Sequence, residues 1–145
     1  MLSQFRVDEL LAAIGERTPA PASGAATALT AALAAALAEL SARYAGNEGD
    51  AERAHALAAE LVRLGDEDAA AYAAFMADRN EAARAEIVRV PEEIARLADE
   101  AVEIAERATE KLSRAVSGDA RASVELARAA AEVARSLAEL NRAGS

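Results

Sequence analysis

Alanine limits what this chain can fold into: it supplies 44 of the 145 residues. A residue that loses no side-chain entropy in a helix, repeated at that density, favours helix along the whole chain. The β-branched and aromatic residues that a sheet needs are scarce, and Phe and Tyr together make up only 3%. The expected fold class is therefore all-α, an antiparallel bundle of five or six helices. At this length one domain, residues 1–145, is the prior, and it is long enough to bury a core.

Periodicity divides the chain. Ser3 is placed to cap a short first helix that turns Phe5, Leu10, Leu11 and Ile14 inward and closes at Gly15. After Thr18-Pro19-Ala20-Pro21, Ser23 sits near the N-cap of a second helix, with Leu29, Leu33, Leu37, Leu40 and Tyr44 recurring at helical spacing until Gly46. Asp50 is read as the cap of a third helix through about Asp78, with Leu57, Leu61, Leu64, Tyr72 and Phe75 as its stripe. The fourth pattern, residues 80 to 117, contains Pro91, which either starts a new helix or kinks an old one. Beyond it Ile94, Leu97, Ala101, Ile104, Ala108, Leu112 and Val116 mark one face. Gly118 ends that helix and Asp119 caps the last, where Leu126, Ala130, Val133, Leu137 and Leu140 are expected to face the core and Asn141 marks the fraying end.

Composition narrows the chemistry. There is no cysteine, and His55 is the single histidine, so disulfides, thiolate metal sites and multi-histidine clusters are excluded and no metal is expected. Carboxylates, Arg, Tyr and backbone groups remain as chemical tools. A net charge of -9 argues against nucleic acid as partner, because binding phosphates requires a basic stripe. The apolar run from Ala25 to Leu40 is alanine-rich and interrupted by Thr27 and Thr30, which argues against a membrane span and for a soluble cytoplasmic protein.

One position breaks the core pattern. Leu57, Leu61, Leu64, Asp68, Tyr72 and Phe75 form a row with spacings of 4, 3, 4, 4 and 3, and Asp68 is its acid. Burial there would raise the carboxyl pKa toward neutrality, as an acid or base catalyst requires. A salt bridge to an Arg of a neighbouring helix, or a stripe that opens to solvent, is the other reading. Asp66 projects elsewhere and is read as a solvated charge. Ser23, Gly24 and Thr27 lie at a helix start, where free N–H groups and the dipole suit an anion, though an ordinary capped helix start fits equally well. Tyr72 is either a ligand contact or a packing ring, and Asp119 has the ordinary reading of an N-cap.

Taken in order, Thr18-Pro-Ala-Pro before a small-residue helix, Leu64-Gly-Asp-Glu-Asp-Ala-Ala-Ala-Tyr72, Val90-Pro-Glu-Glu-Ile-Ala-Arg96, Gly118-Asp119 and the segment from Leu126 to Arg135 with Asn141 resemble the cyclodeaminase/cyclohydrolase family. That group includes the cyclodeaminase part of formiminotransferase-cyclodeaminase and bacterial methenyltetrahydrofolate cyclohydrolases. The resemblance implies an all-helical homodimer with a folate site near the subunit interface. It places the family's catalytic aspartate on Asp68 and matches the acid of its Ser-Asp pair to Asp119. The family's Pro-x-Pro-Gly-Gly-Gly-Ser reads here as Pro19-Ala20-Pro21-Ala22-Ser23-Gly24-Ala25, with one glycine in place of three.

The implied substrate is a tetrahydrofolate derivative carrying a one-carbon unit, with no permanently bound cofactor. Asp68 would act as general acid in a cyclodeaminase, or activate water in a cyclohydrolase. The resemblance implies Ser23, Gly24, Thr27, Tyr72 and Asp119 as the substrate-binding set. The competing reading is a non-catalytic helical dimer of the same family that binds another small molecule or a protein.

Overall fold

A computed structural model describes residues 1–144. A 3-10 turn, Leu2–Gln4, precedes five helices: α1 (Val7–Gly15), α2 (Ser23–Tyr44), α3 (Glu48–Ala77), α4 (Glu81–Lys111) and α5 (Gly118–Gly144), with a second 3-10 turn at Arg114–Val116. Pro91 does not split the fourth pattern, which runs as one helix through it. The short connections 45–47, 78–80 and 112–117 make α2 to α5 successive antiparallel neighbours. They form a ring of four, with α2 against α3 and α5, α4 against α3 and α5, and α2 and α4 also meeting across the middle.

Several helix ends differ from the sequence expectations. Asn47, not Asp50, caps α3, its side chain accepting the Asp50 N–H at 3.0 Å. Asn80 caps α4 in the same way through the Ala83 N–H at 2.8 Å. Gly46 closes α2 at a φ of 76°, a left-handed conformation that suits a residue without Cβ. The fourth helix ends at Lys111, short of Val116, so Gly118 opens α5 and Asp119 lies within its first turn.

Alanine methyl groups form the seams between helices. On α2 the buried residues include Ala28, Ala31, Ala35 and Ala38, and on α5 they are Ala120, Ser123, Ala127, Ala130, Ala131, Ala134 and Ala138. Larger side chains fill the volume from the other two helices, with Leu57, Leu61 and Leu64 from α3 and Val90, Ile94, Leu97 and Ile104 from α4. Two leucine stripes therefore face the opposite way from the expectation. Leu33 is 66% exposed and Leu140 67%, while Leu40, Tyr44, Leu126 and Val133 are exposed as well. Helices that approach on methyl groups leave no room for leucine between them.

The first helix also departs from the expected packing. None of its residues is buried, and Phe5, Val7 and Leu11 are exposed. The chain is anchored ahead of it instead. Leu2 is buried over Gly65, where an added Cβ would lie 2.6 Å from Leu2 Cδ1 and 3.2 Å from the Ala28 methyl. The Leu2 N–H donates to Asp66 Oδ1 at 2.8 Å, so Asp66 is a fastening for the N-terminal turn and not a free surface charge. The length and hydropathy of α2 would suffice to cross a membrane, and its burial against α3, α4 and α5 accounts for that apolar character.

Methyl-limited seams predict an asymmetry between inward and outward positions. Ala35→Leu, at a fully buried seam position, should lower stability by about 1–3 kcal/mol. Thermal unfolding measures it, and an unchanged melting temperature would contradict the packing described.

Candidate functional site

The start of α2 opens onto a cleft of about 250 Å³. One wall is the segment from Pro19 to Ala25, a second is Asp68, Ala69 and Tyr72 of α3, and the third is Ile87 of α4 with Leu137 and Asn141 of α5. Ala22 occupies the N-cap position and no side chain caps it. The first backbone bond of the helix runs from the Ala26 N–H to the Ala22 carbonyl. The amides of Ser23, Gly24 and Ala25 thus precede the helical bonding and point outward at the positive end of the dipole.

Asp68 meets this helix start at Gly24. A Cβ on Gly24 would stand 1.8 Å from Asp68 Oδ2 and 2.5 Å from Asp68 Cγ, so the carboxyl group fills the space a side chain would need. Gly24 is thus a position at which the carboxyl requires a glycine. Asp68 is half-buried, and among the described residues none hydrogen-bonds or ion-pairs with it. Desolvation pushes its pKa above the ordinary aspartate value. No salt bridge among the described residues holds this position, and the row does open toward solvent at this level, from fully buried Leu64 through half-buried Asp68 to exposed Tyr72.

Of the other residues singled out in the sequence, Ser23, Gly24 and Tyr72 line the same cleft as Asp68. Thr27 does not line it. It is buried one turn further along α2, where its hydroxyl donates to the Ser23 carbonyl at 2.7 Å. Asp119 lies at the opposite end of α5 from Asn141, about 33 Å away along 22 residues of helix. A single chain does not bring it to the cleft. His55 is exposed beside Glu39 Oε2 at 3.1 Å.

Sequence reasoning did not select the α4 and α5 wall. Asn141 is no fraying end. Its Nδ2 donates to the Ile87 carbonyl at 2.7 Å and ties the end of α5 to α4 beside the cleft. The signal lay in the sequence, as a polar residue one turn beyond the stripe residue Leu137, on the same face.

Fold and cleft together define a helical bundle with a small acid-bearing cleft at a helix start. The family model for formiminotransferase-cyclodeaminase matches residues 6–144, and the chain belongs to that family. Its fold is also similar to a crystal structure of formiminotetrahydrofolate cyclodeaminase from Thermotoga maritima, with a TM-score of 0.93 at 20% identity over 99% of this chain and 81% of that one. A comparison with curated proteins found no match.

The raised pKa sets the sign of a stability effect. The folded state holds the Asp68 proton to higher pH than the unfolded chain, so stability falls as pH rises from the ordinary value of about 3.9 through the raised one. Above that window the cost of an ionised, desolvated carboxylate is present in full. Asp68→Asn should therefore match or exceed the parent in melting temperature at pH 8, with the gain shrinking toward pH 4. A variant less stable than the parent at pH 8 would mean that Asp68 is held by a stabilising partner.

Proposed function

We propose that this protein acts in the cytoplasm on a reduced folate carrying a one-carbon unit, as a formiminotetrahydrofolate cyclodeaminase. The observation that carries the reading is Asp68: a desolvated acid without a protein partner, in a cleft whose lining residues include no Lys, Arg or His. Family membership supplies the substrate class.

In this reaction a second folate nitrogen attacks the formimino carbon. A new carbon–nitrogen bond closes the ring, and the tetrahedral adduct breaks its bond to the former imino nitrogen. The former imino nitrogen carries one hydrogen and leaves as ammonia with three, so it takes up the proton that the attacking nitrogen loses and a second one from an acid, and the 5,10-methenyltetrahydrofolate cation remains. Asp68, whose proton burial holds to higher pH than in an ordinary aspartate, is the donor of that second proton, a role worth about 10²- to 10⁴-fold. The carboxylate it becomes lies against Gly24 at the positive end of α2, which favours the anion just formed. A cyclohydrolase would instead need Asp68 ionised at the outset, to orient water against the methenyl carbon.

The cleft is small for this substrate, below the ~300–1,000 Å³ typical of sites for drug-sized ligands. It holds the reacting end of a folate, and the remainder extends over the surface. A homodimer supplies that further surface. The outward leucines of α2 and α5 give both helices exposed apolar residues suited to a second copy, and Asp119 reaches a folate only from a neighbouring chain.

Mixing the purified protein with formiminotetrahydrofolate should produce the absorbance of methenyltetrahydrofolate. Asp68→Asn should lose about 10²-fold or more in kcat, and Gly24→Ala, which displaces the carboxyl without deleting it, should lose activity as well. Consumption of methenyltetrahydrofolate alone would reassign the reaction to a cyclohydrolase. Absence of both turnovers in a folded protein would favour the non-catalytic reading.

Sedimentation should show a dimer at micromolar concentration. Leu33→Glu combined with Leu140→Glu should give a folded monomer, and a dimer that survives both changes would place the interface elsewhere.

A further inference from the structure

Pro91 leaves a gap in the hydrogen bonding of α4 that the sequence makes explicit. In an α-helix the carbonyl of residue i accepts from the N–H of residue i+4, and a proline at i+4 has none to give. The carbonyl stranded by Pro91 is that of Ile87, and both residues are buried. An unpaired carbonyl inside a protein is costly, so it needs a donor from elsewhere. Asn141 provides one across 54 residues of sequence, its Nδ2 standing 2.7 Å from the Ile87 oxygen.

The location of this repair gives it a consequence. Ile87 and Asn141 both line the cleft that holds Asp68, and Leu137, one turn before Asn141, completes the same wall. Away from the cleft, the buried Ser123 hydroxyl donates to the Ala34 carbonyl at 2.7 Å and sets α5 against α2, while exposed pairs such as Arg142 with Glu92 join α5 to α4 on the outside. At the cleft wall itself the directional contact between α4 and α5 is the amide-to-carbonyl bond, at one residue on each helix. We propose that Asn141 is the positioning residue of this cleft: by taking up the carbonyl that Pro91 strands, it fixes the α5 part of the wall against the α4 part in the cleft that also holds Asp68. The identity of the ligand so positioned rests on the folate reading above, whereas the lock does not.

A double-mutant cycle tests it, because Pro91→Ala returns an N–H at position 91 to the Ile87 carbonyl and makes the Asn141 bond redundant. In the parent, Asn141→Ala should lower the melting temperature and raise KM for formiminotetrahydrofolate by at least about 10-fold, as expected when a cleft wall shifts by a fraction of an ångström to an ångström. In the Pro91→Ala background the same substitution should change both much less. Asn141→Asp, which keeps the size but turns an acceptor toward the carbonyl, should behave like Asn141→Ala. Equal losses of melting temperature in the two backgrounds would overturn the lock, and an unchanged KM in an active Asn141→Ala enzyme would overturn the positioning role. If the parent turns over no folate, the functional reading fails on its own, and the melting-temperature cycle still decides whether Pro91 and Asn141 act as one unit.

Discussion

The distance at which α2 runs beside its neighbours sets most of the remaining structure. Its inner faces carry methyl groups, and on them it packs against α3, α4 and α5 with no room for leucines of its own. One result is that leucines of α2 and α5 are displaced to the outside. Another is that hollows left by glycine become specific seats. Gly65 receives Leu2 and seats the N-terminal turn, and Gly24 receives the carboxyl of Asp68.

The second of these seats holds two opposing influences on one acid. Burial disfavours the charged form of Asp68, and the helix start beneath it favours that form. An acid in this position holds its proton to higher pH than an ordinary aspartate, yet its conjugate base is not stranded once the proton has gone. That balance suits a proton donor to a departing amine, and it depends on the absence of cations from the cleft lining. The surface Arg–Glu and Arg–Asp pairs of the bundle, such as Arg107 with Asp50 at 2.9 Å, lie away from this cleft and contribute little to it.

The sequence conveyed the helices well, because alanine content and helical periodicity report directly on backbone preference. It conveyed Asp68 for a related reason: an acid on a leucine row stands out against a regular background. Its direction of error was also physical. Leu29, Leu33, Leu37, Leu40 and Tyr44 have the spacing of a core stripe, yet on a helix that is small or apolar on most faces spacing does not say which stripe turns inward. The same ambiguity misdirected Leu126, Val133 and Leu140. Thr27 was grouped with the helix start by proximity in sequence, whereas one turn of helix carries it into the packed face. The partner of Asn141, unlike its place on the stripe face, was legible only through Pro91, since the need it meets is a carbonyl four residues before a proline, on a helix distant in sequence.

The central claim is that Asp68 is an acid made useful by where α2 begins. The most direct measurement is the ionisation of that one carboxyl group, followed through its side-chain carbon resonance by NMR as pH is raised. The account predicts a midpoint clearly above the ordinary aspartate value of about 3.9. A midpoint at or below that value would mean that the group is solvated or ion-paired, and that the cleft holds an ordinary carboxylate.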